Sequence, residues 1–526
     1  MSQIVIDNKA TLTSPKLMMQ AADTNFTELY TLAASQGTKI NRLGELVGVD
    51  VTDFGAVGDG TTDDRAAIQL AIDSLSSTGG IVNLPVGTYK ISSALVLNTN
   101  GVTLLGQGRQ ASILSISSAT ANAIEIGNYT TLTKNNRVSN LQITSSVTKT
   151  AGAAIKIMNG HQTDIDRITL MSNMYYGFQF EGGTSQYIYH LSEFEINSGV
   201  CGIIVGADAA ASGGICQGLV CTDGDIANLT GVAIKLIHVS GAMFRNIDVI
   251  SSYTGVGMLP GANQQVVACW FDTVLGDTCT NNGWSIQPQS STGKVQEIMM
   301  TSCWGASCSN YGILIDPYSY SSKVSGVALT GCRFMHNVKH GVYIQSGVSA
   351  LSFSNLHCLG NSTAGSGTYH GIYLQSGVSG VTFTGGVSGV GGLFTNYQGY
   401  GIYFDGTATR CSVVGMNVYG NITGAIRDTG VTAGGTIKIV GCVGHGTRAS
   451  GYVNIAASAS TVVVSHYLAS TPILSDITVT MQTNPTASVT GGFYLWVTDI
   501  TSTTFKINAS ATMTTACTIG WTAETR

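Results

Sequence analysis

Hydrophobic positions along this chain recur in short alternating runs, separated by glycine, asparagine and serine. The clearest is a four-residue mark, Gly-apolar-any-apolar, beginning at Gly152, Gly177, Gly202, Gly231, Gly255, Gly283, Gly312, Gly341, Gly371 and Gly401. The successive spacings are 25, 25, 29, 24, 28, 29, 29, 30 and 30 residues. Two units read almost alike: HGVYIQSGVSALSFSN from His340 and HGIYLQSGVSGVTFTG from His370. A period in this range predicts a solenoid, and alternation with period two predicts strands rather than helices. A second apolar run follows the marks, as in VSNLQI from Val138, VSGVAL from Val324 and VSGVTF from Val378. Two strands and a third short segment make one coil of a parallel β-helix, stacked on the next at roughly 4.8 Å.

The ends depart from the repeat. Near Val51 the chain reads VTDFGAVGDGTTDDRAAIQLAIDSLSSTGG. Asp63 is expected to cap a helix with Ala67, Leu70, Ala71 and Leu75 on one face, ending near Gly79. Such a helix covers the open apolar end of a solenoid. The Asp-rich GDGTTDD misses the ligand spacing of an EF-hand, so no metal is assigned there. After Gly435 the marks stop, and alternating strands broken by Gly, Pro and Asn turns predict a β-sandwich. Domains are therefore expected at 1–50, 51–435 and 436–526.

Composition agrees with an all-β chain: of 526 residues 66 are Gly and 7 Pro, and only 10% are charged. The mild net charge of −5 argues against a nucleic-acid partner. No apolar run is long enough to span a bilayer, and the N-terminus lacks the apolar core of a secretory signal. The twelve cysteines form no C-x-x-C pair, and one inward slot reads Val274, Cys303, Cys332, Leu356. Cysteine alternating with aliphatic residues is a small core filler, expected buried and reduced, Cys269 included.

Chemistry must lie in outward side chains that depart from the Ser/Thr/Asn background. Aligning second strands by their apolar slots gives the outward series Thr169, Glu195, Asp248, Trp270, Met299, then Ala328, Ser352 and Thr382. Glu195, Asp248 and Trp270 are exceptional. The coil between the first two supplies Asp223 and Asp225; Glu193 precedes Glu195, and Asp272 plays that part beside Trp270. Such a concentration of carboxylates is expected to raise at least one pKa, as a general acid requires. Trp270 is a candidate sugar platform, and Arg245 either holds a substrate carboxylate or pairs with an acid. Lys235, His238 and Arg245 keep a lyase open, since that reaction needs a base. No Gly-x-Ser-x-Gly elbow has acid and histidine partners, so esterase chemistry is unsupported. Trp284 reads as core, and His340 and His370 as turn residues. Tyr343, Tyr373 and Tyr403 form an outward ladder whose role is glycan binding, subunit contact or packing.

The run from VTDFGAVGDGTTDD through LPVGTYKI to LLGQGRQASIL resembles the N-terminal signature of the pectate-lyase-like superfamily, and in particular tailspike depolymerases of tailed bacteriophages. NFTELY, from Asn25, resembles the start of phage tail-fibre and tailspike proteins. The resemblance implies a right-handed parallel β-helix with a short N-terminal helical head and a C-terminal β-sandwich. It further implies a homotrimer in the virion tail, made in the bacterial host cytoplasm. Residues 1–50 would attach to the tail or an adaptor protein, and residues 436–526 would serve trimerisation or sugar binding. The expected partner is a bacterial surface polysaccharide, capsule or O-antigen, with no cofactor, nucleic acid or membrane insertion. Three readings follow: a glycoside hydrolase with Glu195 and Asp248 as the leading pair, a polysaccharide lyase, or a non-cleaving adhesin.

Overall fold

A computed structural model describes residues 48–182, 188–207, 214–318, 323–391, 394–428, 437–483 and 493–525. The expected helical head and its attachment segment lie outside them. Among the described residues, 33 strands join in one parallel sheet wound into a β-helix of about 13 turns. The Gly marks form one wall. Ile313–Ile315, Val342–Ile344, Ile372–Leu374 and Tyr400–Phe404 stack there in register. The glycine is required by the closeness of adjacent coils rather than by its φ. A Cβ on Gly312 would sit 2.7 Å from the Gly341 carbonyl, and one on Gly341 would sit 2.8 Å from that of Gly371. The second run of several coils is a long strand interrupted by left-handed residues, and its straight segments form the other walls.

The interior is one continuous apolar core from Val51 to Ile426. The expected cysteine slot holds: Leu275 pairs with Trp304, Trp304 with Arg333 and Arg333 with His357, placing Val274, Cys303, Cys332 and Leu356 inside. All twelve cysteines are free thiols, and burial pushes Cys269 up to about 12. Trp284 is fully buried and donates to the Trp304 carbonyl at 2.6 Å.

The cap helix runs Arg65–Ser74 with a different face from the one expected. Ile68, Ala71 and Ile72 are buried, Leu75 packs beside them, and Leu70 is exposed. The i, i+3, i+4, i+7 set starting at Ile68 prevails because it places the larger side chains on the core. The N-cap position is Asp64, not Asp63; its carboxylate instead accepts from the Val57 and Gly58 amides at 2.7 and 3.1 Å, closing the preceding turn. Asp59 accepts from the Thr61 and Thr62 amides, which hold its pKa well below the carboxylate range. Beyond the solenoid, two three-stranded antiparallel sheets share a separate core around Phe505, Ile507 and Ile519. No helix among the described residues is long and apolar enough to cross a membrane.

Candidate functional site

The bend in each long strand decides which side chains meet. Glu193, Asp223, Asn246 and Thr273 carry φ of 51°, 57°, 52° and 54°. A short polar side chain tolerates this left-handed conformation best, and Asn and Asp are enriched there. The next outward residue but one after each bend enters a common column. The register runs Thr169, Glu195, Asp225, Asp248, Leu275, Trp304, Arg333, His357. Glu195, Asp225 and Asp248 thus occupy one outward column on three consecutive coils. Their inward neighbours Phe194, Ile226, Ile247 and Val249 are buried and fix the strands. Between Phe194 and Ile247 the inward slot is Gly224, where a Cβ would collide with the Phe194 ring.

Asp225 and Asp248 line a surface cleft with Asp223, Asn246, Thr273 and Leu275. Asn246 donates to Asp223 at 2.8 Å across the bend column, and Arg109 donates to the Glu193 carbonyl at 3.3 Å. An adjoining depression is lined by Thr222, Arg245 and Asp272, and the last two pair at 3.4 Å. Asp248 is half-buried, and burial raises its pKa, with further contributions from the Asp225 and Asp277 charges. Asp277 has one carboxylate oxygen buried without a hydrogen-bond partner among the described residues. A carboxyl group of weakened acidity near other carboxylates is the arrangement general acid–base chemistry uses.

The register corrects the place of Trp270. It stacks between Met243 and Met299, on the half-strand before the bend, while Asp248 is followed in its own column by Leu275. The outward series read from sequence joins two columns: Thr169, Glu195 and Asp248 belong to one, Trp270, Met299, Ala328, Ser352 and Thr382 to the other. Both half-strands alternate apolar and polar residues, so pattern alone does not separate them. Distance to the next mark does: Glu195 and Asp248 lie seven residues before it, Trp270 thirteen. Asp272 shares the Arg245 column rather than that of Glu193. Trp270 is 40% exposed and donates to the Met299 sulfur at 2.9 Å.

Lys235 stands on the strand Val232–Leu236 of the mark wall, away from Asp248. His238 accepts from the Gln265 amide at 3.2 Å, and burial lowers its pKa. Of the three basic residues considered, Arg245 alone shares the strand of Asp248. The tyrosine ladder forms, with Tyr343 and Tyr373 stacked at 5.3 Å. His340 and His370 extend it inward as more than turn residues. Sequence reasoning passed over Trp304, Arg333 and His357, which prolong the carboxylate column, and the His190–Asp164 pair at 2.9 Å.

Residues 48–269 match the family described as Rhamnogalacturonase A/epimerase, pectate lyase-like. A mannuronan C5-epimerase of Azotobacter vinelandii, AlgE4, is 42% identical over 74 residues, 13% of this chain and 13% of that protein. The chain therefore spans a small part of this curated relative. The pre-mature gene product 12 of bacteriophage phi29 superposes with a TM-score of 0.55 at 15% identity, covering 78% of this chain and 58% of that one. The tailspike of E. coli bacteriophage HK620, solved with a hexasaccharide, gives 0.51 at 11% identity and covers 92% and 94%. Identities this low establish the fold alone, a parallel β-helix of the kind these phage proteins share.

Proposed function

We propose that the protein is a phage tailspike that binds and hydrolyses a bacterial surface polysaccharide, capsule or O-antigen. The observation that carries the reading is the run of three carboxylates in one outward column, with the acidity of Asp248 weakened by burial and by its neighbours. Asp248, as the protonated acid, donates to the glycosidic oxygen as that bond breaks. Glu195, two coils away, takes a proton from the water that attacks the anomeric carbon. Two coils separate the backbones by ~9.6 Å. Inverting glycosidases hold their carboxyl groups roughly 6.5–9.5 Å apart to leave room for that water, so slight convergence of the side chains suits inversion. The adjacent pair Glu195 and Asp225, at ~5 Å, would suit retention instead. Asp223 lines the cleft from the bend, Glu193 extends the same bend column by one coil, and Arg245, Asp272 and Trp270 flank the chain of sugars. The working form is a homotrimer in the virion tail.

Digestion of a panel of capsular and O-antigen polysaccharides tests this. New reducing ends without unsaturated uronate are expected, and both Glu195→Gln and Asp248→Asn should lower their release by roughly 10²–10⁴-fold while binding persists. Unsaturated uronate would identify a lyase, and binding without cleavage an adhesin. Parental rates in both variants would move the cleft elsewhere.

A further inference from the structure

Past Leu275 the carboxylate column changes character. It continues as Trp304, Arg333 and His357 on three consecutive coils. Alternation along each short strand fixes their direction: Cys303, Cys332 and Leu356 point inward at 0, 0 and 1% exposure, so the residues after them point outward. Trp304 and His357 are part-exposed and Arg333 is exposed. The Arg333 guanidinium lies 5.7 Å from the centre of the Trp304 ring. His357 is held below its ordinary pKa by burial and by the Arg333 charge, and so is neutral at pH 7.

Arg333 has no carboxylate partner among the described residues. From Trp304 to His357 the flanking outward positions are Ser302, Gly331 and Asn355 on one side and Ala306, Met335 and Leu359 on the other, without an acid. The contrast with Arg245, paired to Asp272, is direct. An exposed arginine over an indole face has the chemistry to bind a planar anion in two parallel hydrogen bonds. The indole beside it offers an apolar face for a sugar ring.

We propose that Trp304, Arg333 and His357 form a subsite for an acidic sugar, a uronate or other carboxylate-bearing unit, of the bound polysaccharide. The Arg333 slot is three coil spacings, ~14 Å, from that of Asp248 along the same column. Charge then sets the pattern of the substrate. The side of the column with Glu195, Asp225 and Asp248 repels anions and accepts neutral sugars, while the side with Arg333 attracts one acidic unit. A heteropolysaccharide with spaced acidic residues fits; a polymer charged at every unit does not. The proposal rests on the reading of Glu195 and Asp248 only for where cleavage falls.

The test is binding of the full-length protein to immobilised acidic and neutral surface polysaccharides, each acidic one also after chemical reduction of its carboxyl groups to alcohols. An acidic heteropolysaccharide should be retained, and Arg333→Ala should weaken its binding roughly 10- to 100-fold. Arg333→Lys should recover part of the loss. Carboxyl reduction should weaken the parent to a similar degree and Arg333→Ala little further, since both remove the same contact. Retention of neutral polysaccharides alone, retention of none, unchanged binding by Arg333→Ala, or equal loss in parent and variant on reduction would each overturn the subsite. Cleavage scored separately with Glu195→Gln and Asp248→Asn keeps the two proposals apart: those variants fail or hold whatever Arg333 does to binding.

Discussion

His340 is buried among aromatic rings, stacked on Tyr311 at 5.8 Å and on Tyr373 at 4.9 Å, and its Nδ1 accepts the His370 amide at 2.9 Å. Burial, reinforced by the nearby His370, lowers its pKa to about 3. His370 repeats the arrangement one coil on, accepting from the Tyr400 amide at 3.3 Å, and burial lowers it to about 4. Both rings are neutral acceptors in the fold and become cations in the unfolded chain below pH ~6.5. The unfolded state then binds more protons than the native state, so stability falls as pH drops from about 6.5 towards the folded values and levels off below them. For His340 the slope reaches ~1.4 kcal/mol per pH unit. The urea midpoint is expected to fall between pH 7 and 4.5, and His340→Gln to flatten that fall. A parental midpoint unchanged over this range would contradict the buried neutral state.

At the scale of the element, one corner of the solenoid is held by a buried ladder of amides. Asn337 donates to Asn361 at 2.8 Å, Asn361 to Gln398 at 2.9 Å, and Gln398 to Asn421 at 3.0 Å. Asn361 also donates to the Phe334 carbonyl at 2.9 Å, and Asn337 to that of Gly305 at the same distance. Asn337, Asn361 and Gln398 are wholly buried, so each amide needs its partner. Asn361→Ala strips partners from both neighbours and removes the side-chain donor to the Phe334 carbonyl; roughly 2–4 kcal/mol of destabilisation is expected, read as a lower midpoint in chemical denaturation. Loss of less than about 0.5 kcal/mol would mean water replaces the ladder. The sequence displays Asn-rich turns but not this ladder, because its members are 24, 37 and 23 residues apart and only the stacking of coils brings them together.

For the whole molecule, a solenoid with closed ends assembles side by side rather than end to end. The helix Arg65–Ser74 covers one end, and the antiparallel sheets follow the other. Tyr452, Val463, Tyr467 and Tyr494 of that last region are more than 60% exposed. Leu314, on the strand Ile313–Ile315, is 9% exposed within the single chain and has little left to bury in a subunit contact. Closed rotational symmetry satisfies several apolar patches at once without open-ended growth. Light scattering is expected to report a trimer at micromolar concentration, and removal of the residues after Gly435 to weaken it. A monomeric parent at that concentration would reject the trimer.

The period of the Gly marks, the inward cysteine slot and the concentration of acids near Glu195 were legible in the sequence, since each rests on local alternation and on a repeat whose length the coil imposes. The alignment of Glu195 with Asp248 was legible for the same reason, since both sit between apolar residues; the slot of Asp225 was fixed by the structure, because Gly224 stands where the neighbouring coils carry Phe194 and Ile247. The position of Trp270 and the continuation through Trp304, Arg333 and His357 were decided only by the tertiary structure. The left-handed residues at Glu193, Asp223, Asn246 and Thr273 separate stretches with the same polar–apolar pattern, and backbone pairing between coils, invisible to a pattern of period two, selects which stretch meets which. The titration of Asp248 and His340 is tertiary for a related reason: burial and neighbouring charges from other coils set it, and neither is a property of the residue or of its place in the repeat.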